Sequence, residues 1–149
     1  MTTEITKCDT ITALRIFFQN MLIIGERAYN QNKDGWQKFI RFQLFEKECC
    51  LAFYSFGHIA DGGFCRKFWP CLYVETISSL GHSDYEEWNY NNTNHRINGG
   101  VTFTNEILPT CDDIKWVGCD FNHGFNRNDS NEELVESMIE SIQGLIEIA

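Results

Sequence analysis

Trp36-Gln37-Lys38-Phe39-Ile40-Arg41-Phe42-Gln43-Leu44-Phe45-Glu46-Lys47-Glu48 is the stretch on which the fold turns. Trp36, Phe39, Ile40 and Phe42 recur at helical spacing, and Asp34 with Gln37 three residues on can cap a helix there. Ile40, Phe42 and Leu44 also alternate, as the inward face of a strand does, so helix and strand both remain open. The texture then changes. Cys50–Phe56 and Cys71–Ile77 are short runs of apolar and β-favouring residues, separated by the turn-rich Gly57–Pro70. Val101–Thr104, after Gly99-Gly100, and Ile114–Asp120, after Asp112-Asp113, read as two further strands.

Helices flank this middle. Ile11, Leu14, Phe17, Phe18, Met21 and Leu22 recur at three and four, which predicts an amphipathic helix from about Thr10 to Ala28. Arg15, Gln19 and Asn20 interrupt its apolar surface, so it is not a membrane span. At the other end, Ser130 and Glu133 form a capping box. Leu134, Met138, Ile142 and Leu145 then line one face of a closing helix that runs to about Ile148. The expected fold is a single α+β domain over residues 1–149, with terminal helices packed on a largely antiparallel sheet of about four strands.

Composition narrows the function. The chain has 149 residues, of which 43% are apolar and 14% aromatic, enough to bury a core. Its net charge of -9 argues against direct nucleic-acid binding, which needs a basic patch for phosphate contacts. Such acidity fits a solvated surface, a basic protein partner or mimicry of nucleic acid. The seven cysteines, Cys8, Cys49, Cys50, Cys65, Cys71, Cys111 and Cys119, are odd in number, follow no signal peptide and repeat no disulfide spacing. A reducing cytoplasm is therefore expected. Neither the Cys65/Cys71 spacing nor adjacent Cys49-Cys50 suits zinc, and no metal or cofactor is expected.

Three polar clusters sit beside strand ends. Gly81-His82-Ser83-Asp84-Tyr85 follows the Cys71–Ile77 run. Asn98-Gly99-Gly100-Val101-Thr102 carries paired glycines, whose backbone N–H groups could meet an anion. Gly118-Cys119-Asp120-Phe121-Asn122-His123 places a carboxylate three residues before an imidazole, where it can orient the ring and raise its basicity. Trp88, in an Asn-rich loop, or Tyr90 is a candidate to stack on a base. The bland reading of each cluster is a hydrogen-bonded turn.

Ile97-Asn98-Gly99-Gly100-Val101-Thr102-Phe103, then Lys115-Trp116-Val117-Gly118-Cys119-Asp120-Phe121-Asn122-His123 and an acidic last helix, resembles a group of small bacteriophage and prophage proteins. That group carries His-Gly-Gly-x-Thr and then Trp-x-Gly-Phe-Asp-x-x-His, with an upstream Gly-His-Pro echoed here by Gly81-His82-Ser83. The likeness covers roughly residues 70 to 149. His82, Gly99, Gly100, Thr102, Asp120 and His123 carry over. Asn98 stands in place of a His, Cys119 in place of a Phe, and Asn126 or Arg127 near an expected Asp, which counts against acid–base catalysis. The resemblance implies an accessory protein of a phage or mobile element, acting in the host bacterial cytoplasm on host processes or defences.

Three functions follow. In the first, His82, Asn98, Gly99, Gly100, Thr102, Asp120, His123 and Trp88 surround a small anionic, nucleotide-like ligand. In the second, the protein inhibits a host nucleic-acid-handling or defence protein through its acidic surface. In the third, His123 as base, Asp120 as its orienting group and His82 as acid or phosphate contact make a small hydrolase. The first stands ahead of the other two, and no membrane partner is expected.

Overall fold

The computed structural model describes residues 5–28, 35–55, 68–77, 81, 84, 97–98, 100–109, 113–121 and 129–149. Six strands and two long helices occur among them: β1 (Thr6–Cys8), α1 (Ile11–Ala28), β2 (Gly35–Leu44), β3 (Lys47–Ser55), β4 (Phe68–Glu75), β5 (Phe103–Ile107), β6 (Lys115–Asp120) and α2 (Asn131–Ile148). The strands form one mixed sheet in the order β1-β2-β3-β4-β6-β5. Only β1–β2 is parallel; the other neighbours are antiparallel. The α+β class with a helix near each end agrees with the sequence, but the expected four strands are too few.

The extra strands come from residues 5–44. The 36–48 stretch is a β-hairpin, so the capped helix does not form there. β2 pairs with β3 from Gly35↔Ser55 to Leu44↔Lys47, with a bulge between Trp36 and Lys38. Phe45 and Glu46 make the turn with φ of 49° and 68°. Two positive φ values suit a tight hairpin whose twist matches its strands, though Asn-Gly is the usual sequence for it. Neither Phe nor Glu signals such a turn, so the hairpin is imposed by what its strands bury.

That burial is two-sided. Every residue from Cys49 to Phe53 and from Trp69 to Val74 is buried, which is why these runs read as continuously apolar. One face of the sheet carries Phe42, Leu44, Leu51, Phe53, Leu72, Val74 and Val117 against both helices. The other face carries Ala52, Trp69, Cys71, Tyr73 and Trp116, joined by Leu108 and flanked by Trp36, Phe39, Tyr54 and Phe103. Each large apolar side chain fully removed from water contributes about 1.5–3 kcal/mol. Aromatic packing also fixes geometry on this second face: Tyr73 meets Phe103 edge-on at 5.1 Å, and the Trp36 indole N–H donates to the Tyr73 hydroxyl at 3.3 Å.

The helices begin where the sequence places them. The Thr10 hydroxyl accepts the Ala13 N–H at 3.0 Å and starts α1. At α2 the capping box is reciprocal: Glu133 N–H donates to Ser130 Oγ at 3.1 Å, and Ser130 N–H donates to Glu133 Oε1 at 3.2 Å. Leu134, Met138, Ile142 and Leu145 all face the core, and Arg15 of α1 pairs with Glu136 of α2 at 2.6 Å. The strand expected at Val101–Thr104 lies slightly later, at Phe103–Ile107. No helix among the described residues is long and apolar enough to cross a membrane.

Candidate functional site

Of the residues singled out in the sequence, Asn98, Gly100, Thr102 and Asp120 lie within the described residues; His82, Trp88, Tyr90, Gly99 and His123 lie outside them. The four that are described come together at the C-terminal end of β6. The Thr102 hydroxyl donates to Asp120 Oδ1 at 3.1 Å, and the Thr102 N–H donates to the Gly118 carbonyl at 2.9 Å. The Asn98 amide donates from Nδ2 to the Asp120 carbonyl at 3.1 Å.

Much of this cluster is internal fastening. Asn98 is buried, its N–H donates to Ser141 Oγ at 3.0 Å, and its Oδ1 accepts the Ser137 hydroxyl at 3.2 Å. One side chain thus ties the 97–100 turn to β6 and to α2. Gly100 has a φ of 81°, and its N–H donates to the Ile97 carbonyl at 3.0 Å. That N–H, which the sequence reading offered to an anion, closes a turn instead. The outward part of the cluster is the exposed Thr102 with the half-buried Asp120.

The neighbouring thiols are chemically quiet. Cys71 pairs in register with Asp120, and burial, reinforced by that carboxylate, pushes its thiol well up. Cys119 is raised for the same two reasons, and burial pushes the Cys49 thiol up to about 12. Thiols held this way stay protonated near neutral pH and are poor nucleophiles. Among the described residues, no three His, Cys, Asp or Glu side chains gather as a metal-binding group.

A different region has the shape of a binding site. A groove of about 600 Å³ runs between α1, the start of β1 and β2, lined by Ile5, Thr6, Phe17, Met21, Ile24 and the β2 segment Lys38–Arg41. Its volume falls in the range of ligand-holding clefts. The exposed Ile16 and Ile23 are about 100° round α1 from Phe17 and Ile24, on the outward side of the helix and outside the groove lining. Ile5, Ile16, Ile23 and Ile24 are 36%, 53%, 43% and 40% exposed, while the other large exposed apolar residues described, Phe45, Ile77 and Ile107, lie elsewhere.

Lys38 and Arg41 are the charged residues of the described lining, but the Arg41 guanidinium is turned to the other face of the sheet. Arg41 donates to Glu48 across the hairpin at 2.9 Å, and its guanidinium lies 4.9 Å from the centre of the Trp116 ring. Lys38 is the exposed cation of the lining. The groove is not legible from local sequence, because it depends on how α1 lies against β2. What local signal there was lay in Ile24, a large apolar residue off the buried stripe of α1.

The chain matches no family model, no curated protein and no solved structure.

Proposed function

We propose that this protein is a small protein-binding accessory protein, acting as an inhibitor or modulator of a host protein, whose docking surface is the corner between α1 and β2. The observation that carries the reading is an apolar groove whose lining includes Phe17, Met21 and the exposed Ile5 and Ile24. Single exposed apolar residues are ordinary, but exposed apolar residues gathered in a concavity are a recurring property of interaction sites. The resemblance of the C-terminal half to phage and prophage proteins supplies the setting, a bacterial host cytoplasm in which the partner would be met.

The surface named here differs from the acidic face expected of an inhibitor. Apolar contact would supply most of the affinity at this corner, with charge selecting the partner. The test is reconstitution with a purified host partner, identified by crosslinking and comparing wild type with Ile5→Asp combined with Ile24→Asp. Both positions are exposed, so the variant should retain its fold by circular dichroism and lose the complex. An intact complex would reject the corner as the docking surface.

A second reading keeps a small nucleotide-like ligand at the end of β6. It is favoured by the exposed Thr102 hydroxyl against Asp120, at the point from which the chain leads on to His123. A carboxylate and a hydroxyl side by side suit ribose hydroxyls or a base amino group. Native mass spectrometry against a nucleotide panel, repeated with Asp120→Asn and His123→Ala, tests it; no adduct with wild type would remove it.

A further inference from the structure

We infer that Phe45, at the tip of the β2–β3 hairpin, is an anchor that enters an apolar pocket with a basic rim on a partner protein. The tip lies at the other end of β2 from the groove, and this contact stands without the docking corner described above.

The turn supplies the first reason. Both central residues of such a two-residue hairpin turn take positive φ, which glycine and asparagine adopt at least cost. Phe45 and Glu46 take it at 49° and 68°, against the steric penalty that a Cβ meets in the left-handed region. Burial does not offset that penalty. Phe45 is 54% exposed and belongs to neither apolar cluster of the sheet. Strain retained in order to hold an aromatic ring in water marks a residue that serves contact rather than folding.

The mounting of the ring supplies the second. Leu44 pairs with Lys47 to close the hairpin on one side. On the other, Phe45 N–H donates to the Cys8 carbonyl at the end of β1 at 3.2 Å. Leu44 and Cys8 are buried, so the backbone beneath the ring is fixed from both sides. A ring on a fixed backbone loses little freedom on binding, and aromatic residues are enriched in the cores of interfaces for their contact area.

Charge names the partner. β1 runs parallel to β2 with Cys8 beside Leu44, so Asp9 comes alongside Phe45. Glu46 follows Phe45 in the turn, and both carboxylates are exposed. Lys7, beside Gln43, and the half-buried Lys47, beside Leu44, lie farther back from the tip. The approaching surface therefore meets negative charge around the ring, on a chain whose net charge is -9. A pocket rimmed by Lys or Arg fits this tip, whereas a second acidic copy and an anionic bilayer are repelled.

The test places the photo-crosslinking residue p-benzoylphenylalanine at position 45 of the full chain in bacterial cells. The same residue at Ile107, equally exposed, is the control. The protein joined from position 45 and not from 107 is purified and titrated with the unmodified chain. Phe45→Ser should bind it at least roughly tenfold more weakly, and Glu46→Lys several-fold more weakly with a shallower salt dependence. Phe45→Asn with Glu46→Gly should bind as weakly as Phe45→Ser while melting above wild type, a combination that a merely structural role forbids.

The inference is overturned if no protein is joined specifically from position 45, or if Phe45→Ser, Glu46→Lys or the Asn-Gly variant binds as wild type does. It is also overturned if the Asn-Gly variant melts below wild type, or if the crosslinked product is a dimer of the chain itself. Sedimentation of wild type, but not Phe45→Ser, with phosphatidylserine vesicles would overturn it in favour of a membrane. If Ile5→Asp with Ile24→Asp loses the complex while Phe45→Ser keeps it, the anchor fails and the docking corner stands. The opposite pattern rejects the corner and keeps the anchor.

Discussion

The ring of Tyr73 lies directly on Gly118, its register partner across β4 and β6, leaving no room for a side chain at position 118. A Cβ there would overlap the ring and stand 2.5 Å from the Leu72 carbonyl oxygen. Tyr73 in turn orders Phe103 and Trp36, so this close approach organises the second face of the sheet. Gly118→Ala is expected to cost at least about 1–3 kcal/mol, as overpacking against a backbone atom cannot relax cheaply. Urea denaturation measures the loss, and a variant as stable as wild type would show that the ring moves aside freely.

Asn98 makes contacts that no small apolar residue can replace. Asn98→Ala leaves the Ser137 hydroxyl and the Asp120 carbonyl to find other partners in a buried setting. The expected destabilisation is about 1–3 kcal/mol. Hydrogen exchange should show it spreading to the end of β6 and the middle of α2, because the side chain joins those elements. Exchange altered only at the mutated turn would contradict the linking role.

The hairpin turn can be improved. Phe45→Asn with Glu46→Gly replaces two residues at positive φ with the pair that such a turn favours, and should stabilise the fold by about 1 kcal/mol. Phe45 is more than half exposed, so little packing is lost. A lower midpoint in thermal unfolding would mean that Phe45 makes contacts worth more than the turn strain.

Cysteine reactivity reports on burial. Cys8, Cys49, Cys50, Cys71 and Cys119 are buried free thiols, and those with raised values owe them first to burial. In native protein near pH 8 these five should resist iodoacetamide and react only after denaturation, as located by peptide mass spectrometry. Prompt native labelling of Cys49 or Cys119 would contradict the packing of β3 or β6.

The Arg15–Glu136 pair gives a small pH dependence of known sign. The hydrogen bond from Arg15 lowers the Glu136 carboxyl below its ordinary value. Its contribution is therefore fully present above the unfolded-state carboxylate value and is lost as pH falls through the folded-state one. Both groups are exposed, so the effect is slight and weakened by salt. Glu136→Gln should flatten this part of the stability–pH curve in the acid range. A curve of unchanged slope would show that the pair is broken in solution.

The sequence by itself determined both helices, the capping box of α2, and the apolar runs that became β3, β4 and β6. These are near-neighbour properties: periodicity, caps and turn residues act over a few positions. It also pointed to Asn98, Gly100, Thr102 and Asp120 as members of one cluster. Tertiary structure alone decided that residues 36–44 are a strand, because their spacing satisfies both periods and only pairing with β3 and burial on two faces choose between them. It decided as well that Asn98 is fastened to Ser137 and Ser141, 39 and 43 residues away, which no local pattern encodes. The groove beside α1 was hidden for the same physical reason, since it depends on how the helix lies on the sheet rather than on any stretch of residues.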